Sequence, residues 1–312
     1  MLTLPLNHVI ESQQFDRNLL EIVFQVADQM KADLLGERKY AKALDGKIMA
    51  SLFYESSTRT RFSFESAMLR LGGSVITTEN AREFSSASKG ESLADSTRIM
   101  NGYADVIVMR HNEAGSAVKA AAVSRIPIIN AGDGAGQHPT QALLDMYTIV
   151  DTFPKFSGLK VAMVGDLRYG RTVRSLSYLL TKYEGVEIVF VSPSVCRMEA
   201  DIKEYLDKNN INWHEETDLK KVAKEVDCVY MTRIQKERFH SVDDYKAAAS
   251  KYILTPEIVQ TMKQDAIIMH PLPRVDEIPA EVDTDPRARY FEQAQNGLYV
   301  RMALLFLLLQ NN

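Results

Sequence analysis

Short apolar runs alternate along the chain with longer stretches in which apolar side chains recur at helical spacing. The runs stand at 48–54 (IMASLFY), 74–78 (SVITT), 105–110 (DVIVMR) and 126–130 (IPIIN), then again at 159–165 (LKVAMVG), 187–192 (EIVFVS), 227–232 (DCVYMT) and 266–270 (AIIMH). Strand followed by helix followed by strand is the signature of a mainly parallel sheet covered by helices. The pattern occurs twice, which predicts an α/β chain of two domains, each a mainly parallel sheet flanked by helices. Between the two sets, 151–158 (DTFPKFSG) has the Pro, Ser and Gly of a hinge or linker. The segment 293–310 reads as an apolar helix that packs back across the domain boundary. The expected division is therefore 1–152, 153–292 and a returning helix at 293–312. There is no internal repeat and no low-complexity tract.

Composition narrows the function classes. A length of 312 residues with 46% hydrophobic content suits two ordinary domains with real cores. A net charge of −4 gives no global attraction to nucleic acid or to an acidic membrane surface, so neither is expected as a partner. Cys196 and Cys228 are far apart and lack CxxC spacing, which argues against a disulfide framework or a cysteine-rich zinc site and for two core residues. The amino terminus lacks a basic stretch followed by an apolar one, and the apolar stretch at 303–309 is too short to span a bilayer. A cytoplasmic protein is expected.

One stretch concentrates polar chemistry. At 53–65 (FYESSTRTRFSFE), three serines, two threonines and two arginines stand where a predicted strand ends and a predicted helix begins. Phe64, Met68 and Leu71 form one stripe of that helix, which puts its first turn near 57–60 with unpaired main-chain N–H groups pointing outward. Such a terminus binds anions. The hydroxyls of Ser57, Thr58 and Thr60 add donors, and Arg59 adds a planar fork suited to phosphate. A plain Ser/Thr cap beside a surface arginine would account for any single one of these residues, but less readily for the whole run.

Five further stretches end predicted strands, where open α/β sheets bind ligands. Arg110 closes the apolar run VIVMR, with a salt bridge to a carboxylate as the plainer reading. In GDGAGQHPTQALLD (132–145), glycines lead to His138, to Pro139 at a favoured first helical position and to Gln141; a capping histidine is the alternative there. In VGDLRYGRT (164–172), Arg171 stands at a helix start, and Leu167 occupies the second glycine position of the dinucleotide fingerprint, which argues against such a cofactor. In YMTRIQKER (230–238) and MHPLPR (269–274), Arg233, Gln235, Lys236, Arg238 and Arg274 add donors, although a charge run usually solvates a surface.

Taken together, these motifs resemble the carbamoyltransferase family, whose phosphate-binding STRTR stands at 57–61 and whose HPTQ stands at 138–141, and the likeness runs nearly end to end. SKGES (88–92), GDLRYGRT, TRIQKER and HPLPRVDEI resemble the aspartate-using branch. The ornithine branch has a cysteine where Pro271 stands. The resemblance implies two α/β domains, 1–152 for carbamoyl phosphate and 153–292 for L-aspartate, with the active site between them, and a place early in pyrimidine biosynthesis. It implies that Ser57, Thr58, Arg59 and Thr60 hold the phosphate and that Arg110 bridges phosphate and carbonyl oxygen. His138 would donate to that oxygen beside Thr60, and Gln141 would meet the carbamoyl amine together with main-chain carbonyls near Pro271 and Leu272. Arg171, Arg233 and Gln235 would hold the two aspartate carboxylates, with Leu272 also at that site. Ser85 and Lys89 would belong to a loop entering the site of a neighbouring subunit in a homotrimer, and Glu55 would order Arg171 and Arg238 on closure.

No metal and no organic cofactor is implied. A separate regulatory chain is a possible further partner. One departure concerns the loop, where some relatives have two adjacent lysines: here Ser88 precedes Lys89, so only Lys89 inherits the lysine role. The rival readings are a carbamoyltransferase acting on ornithine or another amine, and a non-catalytic phosphate-binding relative that kept the fold.

Overall fold

The apolar runs form two parallel sheets in a computed structural model that describes residues 2–84, 86–234, 241, 245–246 and 249–310. The first sheet contains β1 (Ile48–Phe53), β2 (Ser74–Glu79), β3 (Val106–His111) and β4 (Ile128–Asp133) in the order β2-β1-β3-β4. It is accompanied by α1 (Arg17–Leu35), α2 (Thr58–Arg70), α3 (Ala81–Phe84), α4 (Leu93–Met100), α5 (Ser116–Ala121) and α6 (Pro139–Thr152). The second contains β5 (Lys160–Val164), β6 (Glu187–Val191), β7 (Asn212–Glu216), β8 (Cys228–Met231) and β9 (Ile267–Met269) in the order β7-β6-β5-β8-β9. Its helices include α7 (Arg171–Leu180), α8 (Ala200–Lys208), α9 (Leu219–Ala223) and a short helix Pro256–Gln260, and the long C-terminal helix Tyr290–Leu309 follows them.

Burial explains which strands the apolar pattern reveals. Residues 106–110 of the inner strand β3 and every residue of the edge strand β4 are buried, as befits a parallel sheet covered on its faces. β7 was not expected, because Asn-Trp-His-Glu-Glu has no apolar run. It pairs only with β6, and an edge strand open to water needs no such run. β2 is also an edge and largely exposed. The opposite edge is covered near Ile129 by Val9, which forms a parallel bridge to it.

The helix expected after β1 begins at Thr58, and Phe64, Met68 and Leu71 are fully buried. The segment around Lys89, which the resemblance places in a loop, contains α3 and a 3-10 turn, Ser86–Lys89. Single turns need no apolar periodicity, so none was there to read.

The chain divides into two compact units, Met1–Tyr147 with Gln295–Asn312, and Thr148–Ala294. The division falls within α6 and within the C-terminal helix, rather than at the expected positions 152 and 292. A continuous helix carries its pattern across such a boundary, while Pro, Ser and Gly at 151–158 mark the turn that leads into β5. The returning helix joins the first unit: Arg301 Nη1 donates to Ser63 Oγ at 2.9 Å, and the Phe306 ring lies edge-on to Tyr40. Both cysteines are buried and neither is in a disulfide. Among the described residues, no helix is long and apolar enough to cross a membrane.

Candidate active site

Each sheet reverses its winding once, between β1 and β3 in the first unit and between β5 and β8 in the second. Connections leave the carboxyl ends of such a strand pair toward opposite faces and open a crevice there. Ser57–Thr60, Arg171 and Arg233 follow the strands of these two reversals and Arg110 stands near the end of one, while His138 follows β4 and Pro271 and Leu272 follow β9.

In the first unit, α2 opens directly after β1. Ser57 occupies the N-cap but makes no side-chain cap bond, and the first turn contains no acidic residue. Its N–H groups and the Ser57 hydroxyl are therefore not used up by the usual cap. Thr60 is buried, while Arg59 is exposed, with partial burial drawing its guanidinium pKa down. The two arginines of the motif separate here. Arg61 is tied to Glu65 at 3.1 Å and to Glu79 at 2.5 Å, so Arg59 is the one left facing the helix entrance.

Arg110 lies where the pairing of β3 with β4 shifts register between Met109 and His111, an irregularity that re-aims a side chain. Its Nη2 donates to Glu55 Oε1 at 2.5 Å and its Nη1 to the Ala131 carbonyl at 3.3 Å. The salt bridge read as the plainer alternative is thus present. Glu55, which the resemblance assigns to ordering Arg171 and Arg238 on closure, pairs with Arg110 in this structure. Arg238 lies outside the described residues.

His138 is delivered by a turn organised around Asp133, which sequence reasoning missed. The Asp133 carboxylate accepts from the main-chain N–H groups of Gly115 (2.7 Å) and Gln137 (2.8 Å) and from Asn130 Nδ2 (3.2 Å). Gly134 has φ +50, and a Cβ there would lie 2.5 Å from the Asn112 carbonyl, so the turn needs that glycine. The His138 carbonyl then accepts from Gln141 N (3.0 Å) and Ala142 N (3.1 Å) as α6 begins, and the histidine is buried. Gln141 Nε2 donates to Asp145 Oδ1 at 2.7 Å. A carboxylate can only accept, so this bond leaves the Gln141 carbonyl oxygen for a donor such as an amine. Lys89 ends its 3-10 turn exposed, and Ser85 lies outside the described residues.

In the second unit, Gly165 (φ +115) follows β5, and a Cβ there would fall 2.2 Å from the Thr232 carbonyl oxygen. Thr232 closes this approach with two bonds to the Val164 carbonyl, from N and from Oγ1, each 2.8 Å. Arg233, next in the chain, is exposed and lines a cavity of ≈ 260 Å³ with Tyr245, Lys246, Asp276 and Glu277. The turn 166–170 is drawn tight by Asp166 Oδ1, which accepts from Tyr169 N at 3.1 Å, and delivers Arg171 as the first residue of α7. Gln235, Lys236 and Arg238 lie outside the described residues.

The turn after β9 carries Pro271 and Leu272, and Leu272 is left-handed at φ +53. Arg274 is not a free donor. It is committed to both oxygens of Asp283, with Nη2 to Oδ2 at 2.6 Å, and to Tyr290 Oη at 2.9 Å. Burial pushes the Glu277 carboxyl up, but hydrogen bonds from His270 and the main chain outweigh it and leave the group below its usual range. Among the described residues, no group of three His, Cys, Asp or Glu side chains stands together as a metal ion would require.

Comparison with known proteins adds to this geometry. The carbamoyl-P binding domain of aspartate/ornithine carbamoyltransferase matches residues 7–151, and the Asp/Orn binding domain of the same family matches 157–308. The chain is 58% identical to aspartate carbamoyltransferase 1, chloroplastic, of Pisum sativum over 97% of its length and 79% of the pea chain. It superimposes on the catalytic subunit of Methanocaldococcus jannaschii aspartate transcarbamoylase with a TM-score of 0.92 at 47% identity, covering 98% of this chain and 99% of that one. The Trypanosoma cruzi aspartate transcarbamoylase, solved with N-(phosphonacetyl)-L-aspartic acid, gives a TM-score of 0.91 at 39% identity, covering 97% and 96% of the two chains.

Proposed function

Since the chain belongs to the aspartate/ornithine carbamoyltransferase family, we infer that it transfers the carbamoyl group of carbamoyl phosphate to the amine of L-aspartate, giving N-carbamoyl-L-aspartate and phosphate. The observation that carries this reading is the uncapped start of α2, two residues after the Glu55 that holds Arg110, an anion site with an arginine at its entrance. Attack of the amine puts negative charge first on the carbonyl oxygen and then on the departing phosphate. Fixed donors serve both places: His138, Thr60 and Arg110 at the oxygen, and Ser57, Thr58, Arg59 and Arg110 at the phosphate. Gln141, turned by Asp145, accepts from the carbamoyl amine. Arg171 and Arg233 are two separate cations for two carboxylates, a pairing that suits aspartate and opposes the extra cation of ornithine. Holding both substrates supplies proximity, which reaches about 7–11 kcal/mol in well-oriented systems. The leaving phosphate is a sufficient acceptor for the amine proton.

The active form is a homotrimer in the cytoplasm, with Lys89 serving a neighbour's site. Support for the assembly comes from the exposed apolar side chains Phe62, Leu69 and Ile76 on α2 and the edge strand β2, the strand that leads into the Lys89 segment. Offering aspartate and ornithine separately to the purified chain tests the reaction: turnover of ornithine with none of aspartate overturns it. Mixing inactive Arg59→Ala and Lys89→Ala enzymes after dissociation tests the sharing. Activity should return on reassembly, and hybrids shown by native mass spectrometry to contain both chains yet remaining inactive assign Lys89 to its own chain.

A further inference from the structure

The turn carrying Pro271 and Leu272 is fixed by a buried side-chain pair to which the motif reading gives no role. His270 is 2% exposed. Its Nδ1 accepts the Leu272 N–H at 2.8 Å, and its Nε2 faces Glu277 Oε1 at 2.8 Å. Those two contacts set the tautomer: an Nδ1 that accepts carries no proton, so Nε2 holds the proton and donates it to the carboxylate. The other oxygen of Glu277 accepts the Val275 N–H at 3.2 Å, and the main-chain N–H of His270 donates to Gln293 Oε1 at 2.8 Å, so the ring is held from the turn and its backbone from the C-terminal helix.

Leu272 has φ +53, a conformation that an L-residue with a side chain keeps only where its surroundings enforce it. Its N–H is the group that the imidazole captures. We propose that His270, oriented by Glu277, is a positioning residue that locks Leu272 in its left-handed conformation and so aims the carbonyls of Pro271 and Leu272 at the substrate amines. The proposal rests on the carbamoyl-transfer reading for what those carbonyls meet.

The two ends of the ring can be tested separately. Asn at position 270 puts a carbonyl oxygen where Nδ1 was, whereas Gln puts its amide near Nε2 and leaves the Leu272 N–H without its acceptor. His270→Asn should therefore lose least, while His270→Gln and His270→Ala lower kcat roughly 10- to 100-fold at saturating substrates, the scale on which small misplacements act. The ranking should not follow thermal stability, since Gln keeps a donor near Glu277 and Asn does not, yet Gln should lose more turnover than Asn. Equal losses in the three variants, or no loss in any, overturn the proposal. Long-range proton–nitrogen NMR on the unaltered protein is independent of how the variants fold, and a proton found on Nδ1 of His270 also overturns it. If the unaltered chain fails to carbamoylate aspartate, the proposed reaction falls instead, which distinguishes the two failures.

Discussion

The two anion sites of this chain are built differently. In the first unit the proposed phosphate site consists of main-chain N–H groups, short hydroxyl side chains and an arginine held on two partners, so most of its donors are in place as soon as α2 and the Asp133 turn form. In the second, Arg233 is exposed on a long stem, and the nearby turn is held by the buried His270–Glu277 pair and the half-buried Arg274–Asp283 pair. Ordering a long side chain on binding costs about 0.5–1.5 kcal/mol. The comparison teaches that one site is set by folding and the other is completed by its ligand, which makes carbamoyl phosphate the natural first substrate.

Four measurements break or sharpen that contrast. The largest effect is expected for His138→Ala, which should lower turnover by about 10²–10³, the usual result of removing one oxyanion donor. Circular dichroism should be unchanged, because residue 138 starts α6 through its main-chain carbonyl. Wild-type turnover in the folded variant would remove the histidine from the chemistry. Arg233→Ala should raise the KM for aspartate about 10- to 100-fold, as for a lost hydrogen bond to a charged group, with carbamoyl phosphate affinity nearly unaltered. An equal loss for both substrates would erase the distinction between the sites.

Glu55→Gln should act with opposite signs on two readouts. Glu55 and a phosphate compete for Arg110, so calorimetry should show inorganic phosphate binding tightened by roughly 2- to 10-fold, the scale of one modest hydrogen bond, while turnover falls. Weaker phosphate binding would mean that the carboxylate steadies Arg110 for the anion. The smallest effect concerns stability. The hydrogen bond from Arg274 holds the Asp283 carboxyl below its usual range despite the opposing effect of burial. A depressed carboxyl stabilises the fold above its unfolded pKa of about 3.9 and loses that contribution as pH falls through the folded value. Arg274→Met should therefore lower Tm by about 2–4 °C near neutrality, with the difference closing toward about pH 3. A difference that persists undiminished in acid would assign the effect to packing of the arginine on Tyr290.

What the sequence made legible was what water dictates locally. Apolar runs marked the buried strands, and the stripe of Phe64, Met68 and Leu71 placed the start of α2 within a residue. β7 escaped because half of it faces solvent, and the turns around Lys89 escaped because they bury too little to leave a pattern. At the site, residues whose chemistry is local stood out, such as Arg59 at a helix entrance or His138 before Pro139. Partnerships did not. Nothing in the order of residues pairs Glu55 with Arg110, makes Asp133 the hub of its turn or turns Gln141 onto Asp145. The signals available were an aspartate flanked by glycines at 132–134 and a histidine and glutamate bracketing two prolines at 270–277, both recognisable as devices only once distances are known.

The return of the C-terminal helix has a consequence for how the molecule is born. Val300, Met302, Leu304 and Leu305 are buried within the unit that otherwise ends at Tyr147, where Gln310 also reaches the Leu2 carbonyl at 2.8 Å. On the ribosome, the unit encoded in the middle is contiguous and can close on itself, while the earlier one waits for a piece that emerges last. At about 5–20 residues per second, that wait is on the order of ten seconds. During translation, then, assembly runs against the order of the code: the segment made first is the last to finish its core, and it is the part of the nascent chain in most need of shelter by a chaperone.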